Sequence, residues 1–250
     1  MEQNCYYYLG SGIQLHYSFL YPETRKYFDN YLTEHAEACP CFDVRVTSEY
    51  MEENRWLVDE DERCMPFLEF QALMLATGNM LLEHVRALFH GAAAFWGGRA
   101  FLLTAPSGTG KTTQLRHWKK ILGKDMKAIN GDKPLLECRE DGTIWVHSSP
   151  WRGKERIGIA GLSAELGGIL FLKQGEENRI KRLDTEDAVL PLFMAFVSYP
   201  EDTRQLEWQA RILSRMLDCV PVWELTNRGD RDSAVLTIET LQQCLEEHHD

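Results

Sequence analysis

Ala105-Pro-Ser-Gly-Thr-Gly-Lys-Thr-Thr113 lies between two segments of different periodicity. Before it, Ala100-Phe-Leu-Leu-Thr104 is a short apolar run of strand type. After it, Thr112 to Leu122 has helical spacing, with Leu115, Trp118 and Leu122 on one face. A strand feeding a glycine-rich turn that opens a helix gathers backbone N–H groups and the positive end of the helix dipole around one point, which suits a phosphate. The pattern G-x-x-x-x-G-K-[ST] is met except that Ala105 stands at the first glycine, a place that accepts a methyl group where φ is negative. On this reading Ser107, Gly108, Thr109, Gly110, Lys111, Thr112 and Thr113 cradle the phosphates of a nucleoside triphosphate. Lys111 reaches the β- and γ-phosphates and the Thr112 hydroxyl ligates Mg²⁺.

Working outward, His90 to Trp96, the pair Gly97-Gly98 and the strand entering the loop read as an antiparallel hairpin. Most phosphate-binding loops are reached from a parallel strand, so a mixed sheet is expected here. Pro66 to about Phe89 is apolar and poor in charge, and reads as a well-buried helix. Residues 1 to 65 form a small N-terminal α+β unit, with Tyr6–Leu9 and Ile13–Leu20 flanking Gly10-Ser-Gly12 as a hairpin and Phe42–Val46 as a half-buried strand. Its clustered tyrosines read as packing. Downstream of the loop helix, strands are expected at Met126–Ile129, Pro134–Glu137, Thr143–Val146, Gly168–Leu172 and Val220–Leu225. Helices are expected at Glu186–Val197, Thr203–Leu217 and Ser233–Glu247. The fold class is therefore α/β, leaning to α+β, with residues 66–250 as the nucleotide-binding catalytic domain.

Composition narrows the partners. The chain has 250 residues, 44% hydrophobic and 26% charged, the profile of an ordinary globular protein. A net charge of −11 leaves no Lys/Arg stripe to neutralise nucleic-acid phosphates. The acidic run Glu49 to Glu62 reads as solvated surface. Seven cysteines without a C-x-x-C pair (only Cys39-Pro-Cys41 is close-set) argue against zinc and for free thiols in a reducing cytosol. There is no signal-peptide pattern and no apolar run of about 20 residues, so a cytoplasmic protein without a membrane span is expected.

The hairpin ending in His90-Gly91, the loop Ser107 to Thr113 and Ile129-Asn-Gly-Asp132 together resemble the HPr kinase/phosphorylase and phosphoenolpyruvate carboxykinase superfamily, over roughly residues 85 to 245. Asn130 to Lys133 and Pro150 to Glu155 are particularly similar to segments of small HPr-kinase-related proteins, some of which phosphorylate a serine of lasso-peptide precursors. The resemblance implies a mixed-sheet kinase core, ATP and Mg²⁺ as cosubstrate and metal, and transfer of phosphate to a serine hydroxyl of a peptide or small protein. HPr kinases are hexameric, so a homo-oligomer is also implied, although the N-terminal unit differs from theirs.

Such chemistry needs cations and Mg²⁺ to absorb charge and a group to accept the hydroxyl proton. Lys111 supplies the γ-phosphate cation and Asp132 the metal carboxylate; the alternative for Asp132 is a turn residue. HPr kinases carry two adjacent aspartates where this chain has Gly131-Asp132, so either Asp132 does both jobs or His90 takes the proton. The family's glutamate ahead of Arg-Gly is also missing, and Glu155 is the candidate replacement at the metal. Arg152 and Lys154 are candidate transition-state cations, against the alternative of an exposed basic loop. Two rival functions stay open: phosphorylation of a small molecule such as free serine, and nucleotide sensing without catalysis.

Overall fold

The computed structural model describes residues 4–8, 12–34, 39–60 and 64–247. Strands β1 (Asn4–Tyr8) and β2 (Gln14–Ser18) pair antiparallel as the alternation predicts. Gly10 and Ser11 of the expected turn lie outside the described residues. A short helix α1 (Arg25–Phe28) leads to β3 (Leu32–Thr33), and β4 (Cys41–Val44) adds parallel to β2, giving the order β3-β1-β2-β4. Helix α2 (Ser48–Glu53) follows, capped by the Thr47 hydroxyl accepting from Tyr50 N.

Helix α3 (Met65–Glu83) starts with Pro66 in its first turn, where a missing N–H costs nothing. Its buried residues, among them Leu68, Phe70, Ala72, Leu73, Leu75, Leu81 and Leu82, run around the helix, so it is covered on most sides. It ends six residues before Phe89, the end read from the sequence. His84 leaves helical geometry and Val85, at φ 57°, turns the chain into strand β5 (Arg86–Leu88). The apolar run is thus divided between a helix and a buried strand, two elements that hydrophobicity alone does not separate.

The large sheet is built on β6 (Gly91–Trp96) and β7 (Arg99–Thr104), the hairpin turned at Gly97 and Gly98, both with positive φ. After the loop come α4 (Lys111–Leu122), β8 (Lys127–Asn130), β9 (Leu135–Cys138), β10 (Ile144–His147) and the long β11 (Ser163–Gln174). Then follow β12 (Arg179–Arg182), α5 (Thr185–Phe193), α6 (Thr203–Cys219), β13 (Val222–Asn227) and α7 (Arg231–Glu247). The order is β5-β9-β10-β11-β7-β6-β8, with β13 also on β11 and β12 beyond it. The sheet is mixed: β7, β11 and β13 run parallel at its centre, flanked by antiparallel pairs.

Alternation along the hairpin sends Ala93, Ala100 and Leu102 to the face covered by α5 and α6, where they share a core with Leu192, Ile212 and Met216. Ala92, Ala94, Phe101 and Leu103 face the other way, onto Leu115 and Trp118 of α4 and Ile238 and Leu241 of α7. A third core joins the N-terminal strands to α3 through Leu15, Tyr17, Phe28, Met51, Leu68 and Leu73. Strand β12 was not anticipated, because Arg179-Ile-Lys-Arg182 lies at the edge of the sheet with little burial to mark it.

Candidate active site

The sheet delivers the loop at its centre. Between Thr104 and Lys111 the chain turns through Gly108 and Gly110, at φ 80° and 110°. A Cβ at either glycine would meet nothing within 4 Å, so open space adjoins the loop. Ala105 is buried against the α4 side of the sheet and its φ is not positive, which explains why a methyl group is accepted there. Lys111 Nζ folds back over the loop and donates to Ala105 O at 2.7 Å and Pro106 O at 3.2 Å. Burial lowers the ammonium to about 8, Asp132 opposing the shift and Lys133 adding to it.

Opposite the loop, Asn130 ends β8 in the interior. Its Oδ1 accepts from Asp132 N at 2.8 Å and Lys133 N at 2.9 Å, while its Nδ2 donates to Ser149 O at 3.0 Å. This side-chain-closed turn presents Asp132 and Lys133 together, with Lys133 Nζ 2.9 Å from Asp132 Oδ1. Asp132 is therefore a turn residue and also lines the cavity, so the two sequence readings of it do not exclude one another. His90 precedes β6, with its Nε2 3.6 Å from Asp132 Oδ1, and the neighbouring Gly91 N donates to Asp132 O at 2.9 Å. Burial lowers His90 to about 4, helped by Lys133 and Lys111 and opposed by Asp132. The imidazole is consequently neutral at pH 7 and makes no ion pair with Asp132 there. The value near 6.5 expected for a free histidine does not hold in this setting.

The segment Pro150–Ile157 forms the remaining wall. Trp151 is buried, stacked on Phe70 at 5.6 Å, and donates from Nε1 to Phe70 O at 3.0 Å. Arg152 is turned inward, with its side chain 13% exposed and Nη2 2.6 Å from Asp29 Oδ2, whereas Lys154 is exposed. Arg156 also pairs with Asp29. Glu155 lies 2.6 Å from Arg116 of α4, so it would have to leave that partner to reach a metal.

One cavity of about 730 Å³ gathers these groups: His90, Ser107, Gly108, Gly110 to Thr113, Asp132, Arg152, Lys154 and Glu155 all line it, and of the predicted residues only Thr109 does not. Thr109 instead donates its hydroxyl to Pro106 O at 2.8 Å within the loop. Sequence reasoning missed Lys133, which lines the same cavity and whose signal was its place directly after Asp132. It also missed Asp29 and the apolar wall of Tyr27, Leu57, Phe67, Phe70 and Met74, brought in from far along the chain.

No protein-family model matches the chain, and no curated protein matches it. One solved structure similar to it is the HPr(Ser) kinase/phosphatase from Coxiella burnetii. The two share 11% identity over 52% of this chain and 97% of that one, with a TM-score of 0.29. At that score the pairing adds no weight to the cavity itself.

The residues suit a triphosphate with Mg²⁺. Lys111, Lys133 and a glycine loop bordered by open space line the same cavity. Among the described residues no group of three or more His, Cys, Asp or Glu side chains forms a protein-only metal cage. Mg²⁺ does not need one, since it takes one or two protein oxygens and completes its shell with phosphate and water. Thr112 and Asp132 are oxygen donors of that kind, and both line the cavity.

Proposed function

We propose that the protein is an ATP- and Mg²⁺-dependent phosphotransferase that moves the γ-phosphate to a serine hydroxyl of a peptide or small protein. The observation that carries this reading is the lining of the cavity. Lys111, Lys133, Asp132 and His90 line it together with the apolar side chains of Tyr27, Leu57, Phe67, Phe70 and Met74, so one space holds both charged and apolar groups.

Lys111 and Lys133 spread the negative charge of the transferred group, and Arg152, oriented by Asp29, is a further cation at the closing segment. Asp132 Oδ1 faces Lys133 and His90, which leaves Oδ2 with the Thr112 hydroxyl as metal donors. Bound Mg²⁺ would supply charge neutralisation across the β- and γ-phosphates. In the transfer, the serine oxygen bonds to the γ-phosphorus as the bond to the β–γ bridging oxygen breaks, and ADP leaves with that electron pair. The hydroxyl proton passes to the neutral His90, and the Asp132 carboxylate beside it offsets the imidazolium that results.

Incubation with γ-labelled ATP, Mg²⁺ and serine-containing peptides, with free serine in a parallel arm, tests the reading. Label is expected on a peptide serine, with Lys111→Ala and Asp132→Asn each lowering kcat by about 10²-fold or more. Label on free serine alone would reassign the acceptor. Wild-type rates in both variants, or ATP binding with no transfer, would remove the kinase reading.

A further inference from the structure

A second cavity, of about 550 Å³, lies beside the first and is unlike it. Two of its walls are large aromatics in the open: Trp56 is 62% exposed and Tyr199 is 67% exposed. Their ring centroids are 6.1 Å apart with planes at 56°. Neither ring hangs on a loose segment. Trp56 sits on a 3₁₀ turn, Arg55–Leu57, and Tyr199 N donates to Asn79 Oδ1 of α3 at 2.7 Å. Glu53 and Glu201 line the same space, both exposed, and among the described residues neither carries an ion pair. Tyr50 lines the same space, and its phenol is raised by burial first and then by Glu201 and Glu53.

The two cavities are lined by neighbouring stretches of the same two segments. Leu57, Val58 and Asp59 line the catalytic one, while Asn54 and Trp56 line the second. Along α3, Phe67, Phe70 and Met74 face the first and Leu75 and Asn79 the second. From Met74 to Asn79 the helix rises about 7.5 Å, a span that two to three residues of extended peptide cover.

Resting on the kinase reading above, we propose that this groove docks a basic segment of the acceptor peptide, with a Lys or Arg side chain against Trp56 and Tyr199 and its charge met by Glu53 and Glu201. Exposed aromatic faces with unpaired carboxylates at their rim attract a cation through the ring quadrupole and through Coulomb attraction, and a net charge of −11 favours approach of a basic partner. An acidic acceptor would meet repulsion, and a purely apolar one would leave the carboxylates without a counter-charge.

Fluorescein-labelled peptides with one serine, flanked on one side by an arginine, a leucine or a glutamate pair, separate these cases. Binding is read by anisotropy with the full chain and no nucleotide, so it does not depend on catalysis. The arginine peptide is expected to bind about tenfold tighter than the glutamate peptide, and to weaken as salt rises. Trp56→Ala and the double variant Glu53→Gln/Glu201→Gln should each remove about fivefold or more of that preference. Equal binding of the three peptides, preference for leucine, or variants that bind like wild type would overturn the groove. A γ-labelled ATP assay on the same peptides keeps the two ideas apart. Docking that the groove variants abolish, without any transfer, would sink the kinase and leave the groove. Transfer that is indifferent to peptide charge and to the variants would sink the groove and leave the kinase.

Discussion

Lys111 has to hold a positive charge where burial resists one. Its ordinary value of 10.5 falls to about 8, so between those limits the unfolded chain binds more protons than the folded one, and stability rises with pH across that window. At pH 7 the buried ammonium therefore costs stability. Lys111→Met is expected to raise Tm, by about 2–4 °C per kcal/mol recovered, while abolishing transfer. A triphosphate favours the charged form, so binding ATP near pH 8 should take up a proton, and affinity should fall as pH rises beyond about 8. Calorimetry in buffers of different ionisation enthalpy checks both. His90 acts with the same sign in a lower window. Held neutral down to about 4, it takes up its proton later than in the unfolded chain, so stability present at pH 7 is lost as pH falls below 6.5 towards 4. Urea titrations of the wild type and His90→Asn should show a shallower acid loss in the variant. In kcat/KM the same two groups give an acid limb from His90 and an alkaline limb from Lys111, and a limb at pH 6.5 would contradict the buried setting of His90.

At the scale of elements, α3 sits against the chain that leaves α5. A Cβ on Gly78 would collide with the backbone carbonyl of Val197, whose N–H donates to Leu88 O at 2.9 Å and so holds that segment to β5. Gly78→Ala should therefore cost about 3 kcal/mol, although alanine is the better helix former by about 1 kcal/mol. Chemical denaturation measures which effect wins, and a stabilised variant would mean that the two segments separate readily. The hairpin, the loop and α4 were legible in the sequence, because strong punctuation at Gly97-Gly98 and Gly108 to Lys111 coincides with a change of hydrophobic period. The end of α3 was not, since both sides of Val85 are apolar and a positive φ there leaves no trace in residue type. Lys111 was readable from the loop pattern alone, whereas His90 and Asp132 were singled out through the resemblance of their segments to a known family. Asp29, which pairs with Arg152, and Phe70, which packs on Trp151, were not, because only contact across the fold brings them to the site.

For the whole molecule, what matters is how residues 12 to 60 are joined to the remainder. Leu15, Tyr17, Phe28 and Met51 share one core with Leu68, Leu73, Leu88, Leu135 and Trp151, so the N-terminal elements cover part of the apolar surface of α3. Polar groups cross the same junction. The buried Glu69 carboxylate accepts from Tyr21 N at 3.1 Å and from Leu20 N and Thr24 Oγ1, and Asp29 holds Arg152. A chain cut before Met65 would leave that carboxylate buried without partners or drag it into water with the surrounding leucines, and either is expensive. The truncated chain is expected to aggregate, and the full chain to unfold in urea as one transition, coincident by circular dichroism and tryptophan fluorescence. Trp151→Ala tests the junction from within: losing a buried indole should cost about 3–5 kcal/mol and shift both signals together. If instead the two probes part, with tryptophan fluorescence changing well before the helical signal, the N-terminal elements fold as a separate unit. The acceptor wall and the Asp29 hold on Arg152 would then belong to an attachment that can leave the active site, and catalysis should survive where that unit has melted.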